Sequence, residues 1–514
     1  MDPVKGRQRL AEKKVEDRHL NAPRNLVTIL SLNRGLRAEV SVGRRSGMSV
    51  KRSIAGAIAS LCLLGGGGFG RVPPMTAPSA RHTVDALFPN AYYDYLLNGL
   101  QVIILERPET SEAIVSLMFK SGAAFDRAGK SGTAAVTARA IWLGAEDLSE
   151  TTVRQRLTAL EATIHTDVTW DATTITLTAP ARGLPELLRL MARVVSRPSF
   201  EATALEALKA RILEEVNAKR RDPSQIADQQ WYRALYHPHP YARPPEGLPE
   251  EIATITPLDV ARHHARFFIA NTATLIILSP FAPATLMPIV RPSFGALLKG
   301  KIVPPTFLAP ASRQGVRILL RDLPDAPLAH IRIGSFGLER FSEDYIPALV
   351  LAEVIRLRYE QELSRLGGPP ARAHCRFDLR AQRGSFMLAV AVPTEHVVAA
   401  LQRAQHVLTE LRATGPTPEE LADAQRRWEE QFSPSALSPR HLVEVLQHVE
   451  LYGLGRDYLQ RLPERLHRVT REDIRRVAEK YLSPHDLLIV VVGRVQGLPD
   501  TLRALGTVEM ETNE

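Results

Sequence analysis

Histidines and acids at short spacing are the residues of this 514-residue chain that could hold a metal ion or move a proton. Three groups qualify: His237 and His239 in a His-Pro-His-Pro run, the adjacent His263 and His264, and His441, Glu444 and His448. A metal held on one helix face needs ligands about one turn apart, at i and i+3 or i+4. His263 and His264 are neighbours and would point different ways from a helix. His441 and Glu444 share a face, but His448 lies a further turn along. The proline-flanked pair reads as a turn. All three groups are therefore read as structural or surface histidines. The two cysteines, Cys62 and Cys375, exclude a disulfide framework. Cys375 has no neighbouring His/Asn pattern and reads as a packed thiol.

A fourth stretch has the frame for such chemistry without the side chains. From Gly122 to Ala145 the chain reads GAAFDRAGKSGTAAVTARAIWLGA. The approach DRAGKSG is a turn signal, and the run that follows has helical spacing. Where a metallopeptidase would need His and carboxylate one turn apart, there are Ala135, Ala138 and Arg139.

The elements that would position these residues come from a duplication. ITPLDVARHHARFFIANTATLIIL, Ile255 to Leu278, and VTREDIRRVAEKYLSPHDLLIVVVG, Val469 to Gly493, share one plan. In each, a Thr N-caps a helix with acids in its first turn, Asp259 in one and Glu472 and Asp473 in the other. The helix ends at an aromatic, Phe268 or Tyr481, and an apolar strand follows. The openings LNGLQVIILERPETSEAIVSLMFKSGAAFD and GVRILLRDLPDAPLAHIRIGSFGLERFS also correspond. Alternation at Val115, Leu117 and Phe119, and at Ile331 and Ile333, predicts half-buried strands. The expected fold class is α+β: two homologous domains, each a mixed or antiparallel sheet with helices on one face. The expected bounds are 81–285 and 313–500, with a Pro-rich linker at 286–312 and a tail at 501–514.

Composition excludes other classes. The chain is 45% hydrophobic and 24% charged, ordinary for a globular protein. Its net charge of +9 comes mostly from Arg scattered along helices. No basic block is interleaved with aromatics, so nucleic-acid binding is not expected. Residues 1–47 are polar, Arg-rich and aperiodic, and read as a non-native or disordered extension. Residues 48–80 read as a signal peptide and linker: Met48, a basic start at Lys51 and Arg52, and an apolar run from Ile54 to Leu64. An exported protein of the periplasm or cell envelope is expected, without a stable membrane span.

The motifs resemble the pitrilysin/insulinase group of zinc peptidases, the inverzincins, from about Tyr95 to Arg494. LLNGLQVIILER resembles the group's opening strand, FKSGAAFDRAGKSGTA its approach to the metal helix, and LEEVNAKRRDP the segment with a distal metal ligand. ALYHPHPYARPPEGLPEEIATITPLDVARHHARFFIANTATL is the most specific match. The peptidase LuxS/MPP-like fold is the one the resemblance implies. The group's motif is H-x-x-E-H, two His ligands and a general-base Glu, with a distant Glu as third ligand. Carried over, the two His fall on Ala135 and Arg139 and the base on Ala138. The distal ligand falls on Glu215, or less well on Glu214. The resemblance thus implies a zinc site whose ligands are lost, and no cofactor is expected. It implies instead an ion pair between Arg139 and Glu215 across two packed helices, with about 3–5 kcal/mol lost on removing one partner if the pair is buried. The group's substrate-holding Arg and Tyr fall on Ser364 and Ala371, with Arg365 and Arg372 as neighbours. The expectation is a catalytically inactive homologue that pairs with a zinc-bearing relative to bind or process peptide or unfolded polypeptide. A scaffold role on the same fold is the alternative. A working zinc peptidase would need ligands that are absent from one helix face.

Overall fold

The structure, a computed structural model, describes residues 91–310, 314–338, 342–367, 371–432 and 437–511. The extension at 1–47 and the signal-like segment lie outside the described residues.

The strands of the first half are β1 (Ala91–Tyr95), β2 (Gln101–Glu106), β3 (Glu112–Phe119), β4 (Thr163–Val168), β5 (Thr173–Pro180) and β6 (Ala273–Ser279). Those of the second are β7 (Arg317–Asp322), β8 (Ala329–Phe336), β9 (His374–Asp378), β10 (Ser385–Val392), β11 (Leu488–Gly493) and β12 (Thr507–Met510). The first six-stranded sheet runs β1-β2-β6-β3-β5-β4 and the second, read from its far edge, β12-β7-β11-β8-β10-β9. The two orders superpose strand for strand, which bears out the duplication. The β2–β6 and β7–β11 pairs are parallel, while β3–β6, β8–β11 and the outer pairs beyond β3 and β8 are antiparallel. The edge strands β1 and β12 come from opposite ends of the described chain. What was expected as a tail from 501 onward thus supplies β12, parallel to β7.

The longer helices of the first half are α1 (Thr133–Ala140), α2 (Glu150–Ala159), α3 (Leu184–Ser196), α4 (Ala202–Lys219), α5 (Pro223–Tyr236), α6 (Pro257–Phe267) and α7 (Pro283–Phe294). Those of the second are α8 (Tyr345–Ser364), α9 (Val397–Thr414), α10 (Pro418–Gln431), α11 (Pro439–Tyr452), α12 (Tyr458–His467) and α13 (Arg471–Tyr481). Thr256 and Thr470 N-cap α6 and α13, each in a reciprocal capping box with Asp259 or Asp473. Helix α7 corrects the linker expectation. It carries Pro288 and Pro292 in its interior yet buries Leu286, Met287, Val290 and Phe294. Those positions recur at helical spacing and pack beside α3, so burial outweighs the helix-breaking tendency of proline.

Each sheet carries its own helices on one face. Val102, Ile104, Val115, Leu117 and Ile277 join the first-half core, and Ile331, Ile333, Ile489 and Val491 the second. The opposite faces are covered by exchange. Helix α5 of the first half lies on β8 and β11, and α11 of the second lies on β3 and β6. Ser116 and Met118 are therefore as buried as Val115 and Leu117, and β3 is buried on both faces rather than the one its alternation predicted. Arg332 on β8 fastens α5, with its Nε 2.6 Å from the Asp228 carboxylate and its Nη2 donating to the Ser224 hydroxyl at 2.7 Å. Gln447 on α11 donates to Ser116 at 2.5 Å.

Between the halves lies a buried polar lock. Asp171, in the β4–β5 turn, accepts from Tyr241 at 2.6 Å, Tyr452 at 3.2 Å and the Ala381 N–H at 2.8 Å. Arg380 stacks 4.0 Å over the Trp170 ring and pairs with Asp378. Among the described residues no helix is long and apolar enough to cross a membrane.

Candidate functional site

Helix α1 is positioned from its N-terminus. Gly132 adopts φ 90, and a Cβ there would lie 2.9 Å from the Glu246 carbonyl and 3.1 Å from Gly247 Cα. Gly247 itself adopts φ 92 and packs as tightly on Gly132. Only glycine at both positions lets the two backbones meet. The Asp126 carboxylate accepts from the N–H groups of Gly132 at 2.8 Å and Ala134 at 2.9 Å. Burial pushes its pKa up to about 7, against the lowering pull of those backbone donors and of Arg243. Glu251 accepts from the Ser131 N–H at 2.5 Å. Val136 and Ala140 then pack against α4 and α6, and Ala138 faces the sheet core.

This packing brings Arg139 to Glu215 on α4, Nη1 to Oε2 2.7 Å. The pair expected between the two helices is present, but it is not buried: the side chains are 37% and 56% exposed. The cost argued for a buried pair does not apply, because water screens both charges. Arg139→Ala is accordingly expected to change stability by less than about 1 kcal/mol in urea unfolding. A loss of several kcal/mol would show that the pair is closed off in solution. Glu214, beside it, is exposed.

The resemblance implies zinc here, and the residues do not fit it. Ala135 and Ala138 present methyl groups and are buried. Arg139 brings a permanent positive charge to the position that the resemblance assigns to the second imidazole. Only Glu215 remains as a donor, and a guanidinium occupies its oxygen. A catalytic zinc takes three protein ligands. Among the described residues no group of three or more His, Cys, Asp or Glu side chains could hold a metal ion.

The other histidines have structural surroundings. His239 accepts from the Tyr241 N–H at 3.1 Å and its Nε2 lies 3.0 Å from Gln382. His264 bonds the Val195 carbonyl at 2.7 Å, while its neighbour His263 is buried. Glu444 pairs with Arg440, one turn away on α11, rather than serving a metal with His441 or His448. Burial of His448 lowers its pKa to about 3. Cys375 is half-buried and free, its thiol pushed up by burial. Of the residues on which the resemblance puts the substrate-holding Arg and Tyr, Ser364 donates to the Gln361 carbonyl at 2.7 Å and Ala371 packs on the second-half core. Arg365 pairs with Glu362, and Arg372 is exposed.

Strand β4 was not singled out from sequence. It is the outer edge of the first sheet, packs beside α1 and is largely exposed. Asp167 on it is exposed. Desolvation raises its pKa, opposed by His165 and Lys219 and assisted by Glu246 and by Glu444 of the second half. The alternation in TIHTDV was the available signal.

Comparison with known proteins agrees with this architecture. The family pattern described as Insulinase (Peptidase family M16) matches residues 101–247, and that described as Peptidase M16 inactive domain matches 254–427. A probable mitochondrial-processing peptidase subunit beta from Schizosaccharomyces pombe is 21% identical over 446 residues, 84% of this chain and 97% of that protein. The crystal structure of a peptidase M16 inactive domain from Pseudomonas fluorescens superposes with TM-score 0.72 at 22% identity, over 79% of this chain and 98% of that one. A protease structure from Helicobacter pylori gives 0.71 at 16% identity, over 78% and 99%. With the two family patterns matched in succession over more than half of its length, the chain belongs to the M16 insulinase/pitrilysin peptidase family.

Proposed function

We propose that the chain is a non-catalytic family member of the cell envelope that binds extended peptide and works beside a zinc-bearing relative. The observation that carries this reading is the Arg139–Glu215 ion pair, at the two positions to which the resemblance assigns the group's second His and distal Glu. The helix around it keeps its caps, its glycine contact and its packing, so the surroundings of the site are maintained while the ligands are not. The free edge of β4 beside α1 supplies a surface for peptide, because an unpaired strand edge can take an extended chain by main-chain hydrogen bonding. The curated relative from Schizosaccharomyces pombe is named as a subunit, which favours a partnered role. The signal-like layout from Met48 onward supports export.

Affinity purification of a tagged chain from fractionated cells tests this. The expected result is recovery outside the cytoplasm with an H-x-x-E-H-bearing relative, whose peptide cleavage rises when the chain is added. The chain alone should carry no stoichiometric zinc and cleave nothing. Recovery of the chain in an assembly without any peptidase would support the scaffold reading instead. About one tightly held zinc per chain would overturn the non-catalytic reading.

A further inference from the structure

A cavity of about 800 Å³ opens at the N-terminal end of α1, at the far end of the helix from Arg139. Three aromatic rings wall it. Phe125 lies 5.2 Å from Phe267 and 5.6 Å from Phe307, centroid to centroid, and Phe307 comes from the segment joining the halves.

The charges around this cavity are unbalanced. Its carboxylates are already committed: Asp126 to the amides of α1, Glu251 to Ser131, and Asp259 to Lys130 at 3.0 Å and to its own helix cap. Arg243 donates to the backbone carbonyls of Asp126 and Arg127. Among the described residues no carboxylate pairs with Arg127, Arg262 or Arg266, and all three line the cavity. Arg266 meets only the face of Phe267, at 5.4 Å. Arg262 and Arg266 stand at i and i+4 on α6, where like charges repel unless an anion bridges them.

A second observation points the same way. His263, next to Arg262 on α6 and buried where the arginines are exposed, also lines the cavity. Its side chain is 4% exposed, and its Nε2 has no hydrogen-bond partner. Its Nδ1 is 3.9 Å from the Asp126 carboxylate, too far for a hydrogen bond. Buried polar nitrogens are seldom left unmatched.

We propose that this cavity binds a carboxylate carried on an apolar chain, with the arginines taking the carboxylate, His263 lying behind them, and the phenylalanines taking the chain. Guanidinium groups bind carboxylates through paired N–H donors. The site lies apart from the degenerate ligand positions and does not depend on the subunit reading. Two sources share this chemistry: a peptide with a hydrophobic last residue and a free C-terminus, and a free fatty acid.

Fluorescence anisotropy on the full chain tests it, with a fluorescein-labelled peptide ending in Phe-Leu with a free carboxylate, the same peptide amidated, and dodecanoate and dodecanol as competitors, the last two also titrated directly by calorimetry. The expected result is saturable binding of the free-carboxylate peptide, of dodecanoate, or of both. Binding by the amidated peptide, and competition by dodecanol, should be weaker by about tenfold or more. The double variant Arg262→Ala/Arg266→Ala should lose about tenfold or more in affinity with an unchanged circular dichroism spectrum. The pair is exposed, so the fold does not rest on it, and Arg262→Lys/Arg266→Lys should recover part of the loss. Peptide binding without dodecanoate competition would assign the source as peptide, and dodecanoate binding without peptide binding would assign it as fatty acid. No binding of either probe, equal binding of the amidated peptide, or an unaffected alanine variant would overturn the proposal.

Discussion

Replacing Asp171 with alanine is expected to lower stability by about 3–5 kcal/mol and to split unfolding into two steps. Asp171 is 6% exposed and accepts three hydrogen bonds. One comes from Tyr241 of the first half, and two come from Tyr452 and Ala381 of the second. Alanine would strand the buried Tyr241 hydroxyl and the Ala381 N–H, each worth about 1–3 kcal/mol when left unmatched, while the Tyr452 hydroxyl keeps the Leu379 carbonyl as an acceptor at 3.3 Å. The loss falls on the contact between the halves, because every donor reaches Asp171 from a different element. The readout is built into the chain. Trp170 and Trp231 belong to the inter-half cluster, whereas Trp428 lies in the second-half core and Trp142 packs on the first. In urea, the fluorescence of the interface tryptophans should change before the far-ultraviolet circular dichroism. Asp171→Asn keeps an acceptor oxygen and should cost less. A single coincident transition at the parent's midpoint would show that the lock contributes nothing to the docking of the halves.

This lock also marks where the sequence stops being readable. The duplicated helices were legible because their signals are local: Thr256 with Asp259 and Thr470 with Asp473 lie three residues apart and close capping boxes. The opening strands of each half and the strand after each capped helix were legible from alternation and apolar runs. The cover on their second faces was not, because α5 and α11 are amphipathic in the ordinary way and nothing in such a pattern says which sheet receives it. Asp171 sits in a short turn, and its partners lie 70, 210 and 281 residues away. Asp126 caps α1 from six and eight residues upstream, outside the spacing by which a cap is recognised. The prolines of α7 were weighed as breakers, whereas four buried apolar side chains decide that segment. The placement of Arg139 against Glu215 was readable only through family resemblance. Their exposure depends on how α1 and α4 meet the solvent, which no local pattern records.

The double substitution Ala135→His/Arg139→His is expected to create a zinc site with Glu215 as third ligand, raising zinc affinity on the order of a thousandfold or more over the parent. Positions 135 and 139 stand one helical turn apart, so two imidazoles there would share a face. Arg139 already reaches the Glu215 carboxylate at 2.7 Å. An imidazole is shorter than an arginine side chain, and a zinc ion with bonds of about 2.0–2.2 Å on each side would span the gap that opens. Position 138 is better left unchanged in the first test. Ala138 is fully buried against the first-half core, and a glutamate there would add volume and a charge, at a cost of about 1–3 kcal/mol for the overpacking alone. The group's Glu at this position is a base and not a ligand, so zinc binding does not require it. Both imidazoles must be neutral to bind, so affinity should fall as pH drops below about 6.5. Competition against a chelator at pH 7 and pH 5.5, with Glu215→Ala added as a control, measures all of this. Adding Ala138→Glu tests whether the helix tolerates the base, yet peptide cleavage should stay weak, because the resemblance puts the substrate-holding Arg and Tyr on Ser364 and Ala371 and positioning is worth several kcal/mol of barrier. If the folded double variant binds zinc no better than the parent, or binds equally well without Glu215, then α1 and α4 do not preserve the geometry of a metal site. The Arg139–Glu215 pair would then be an ordinary surface contact, and the case for a lost zinc centre would fall with it.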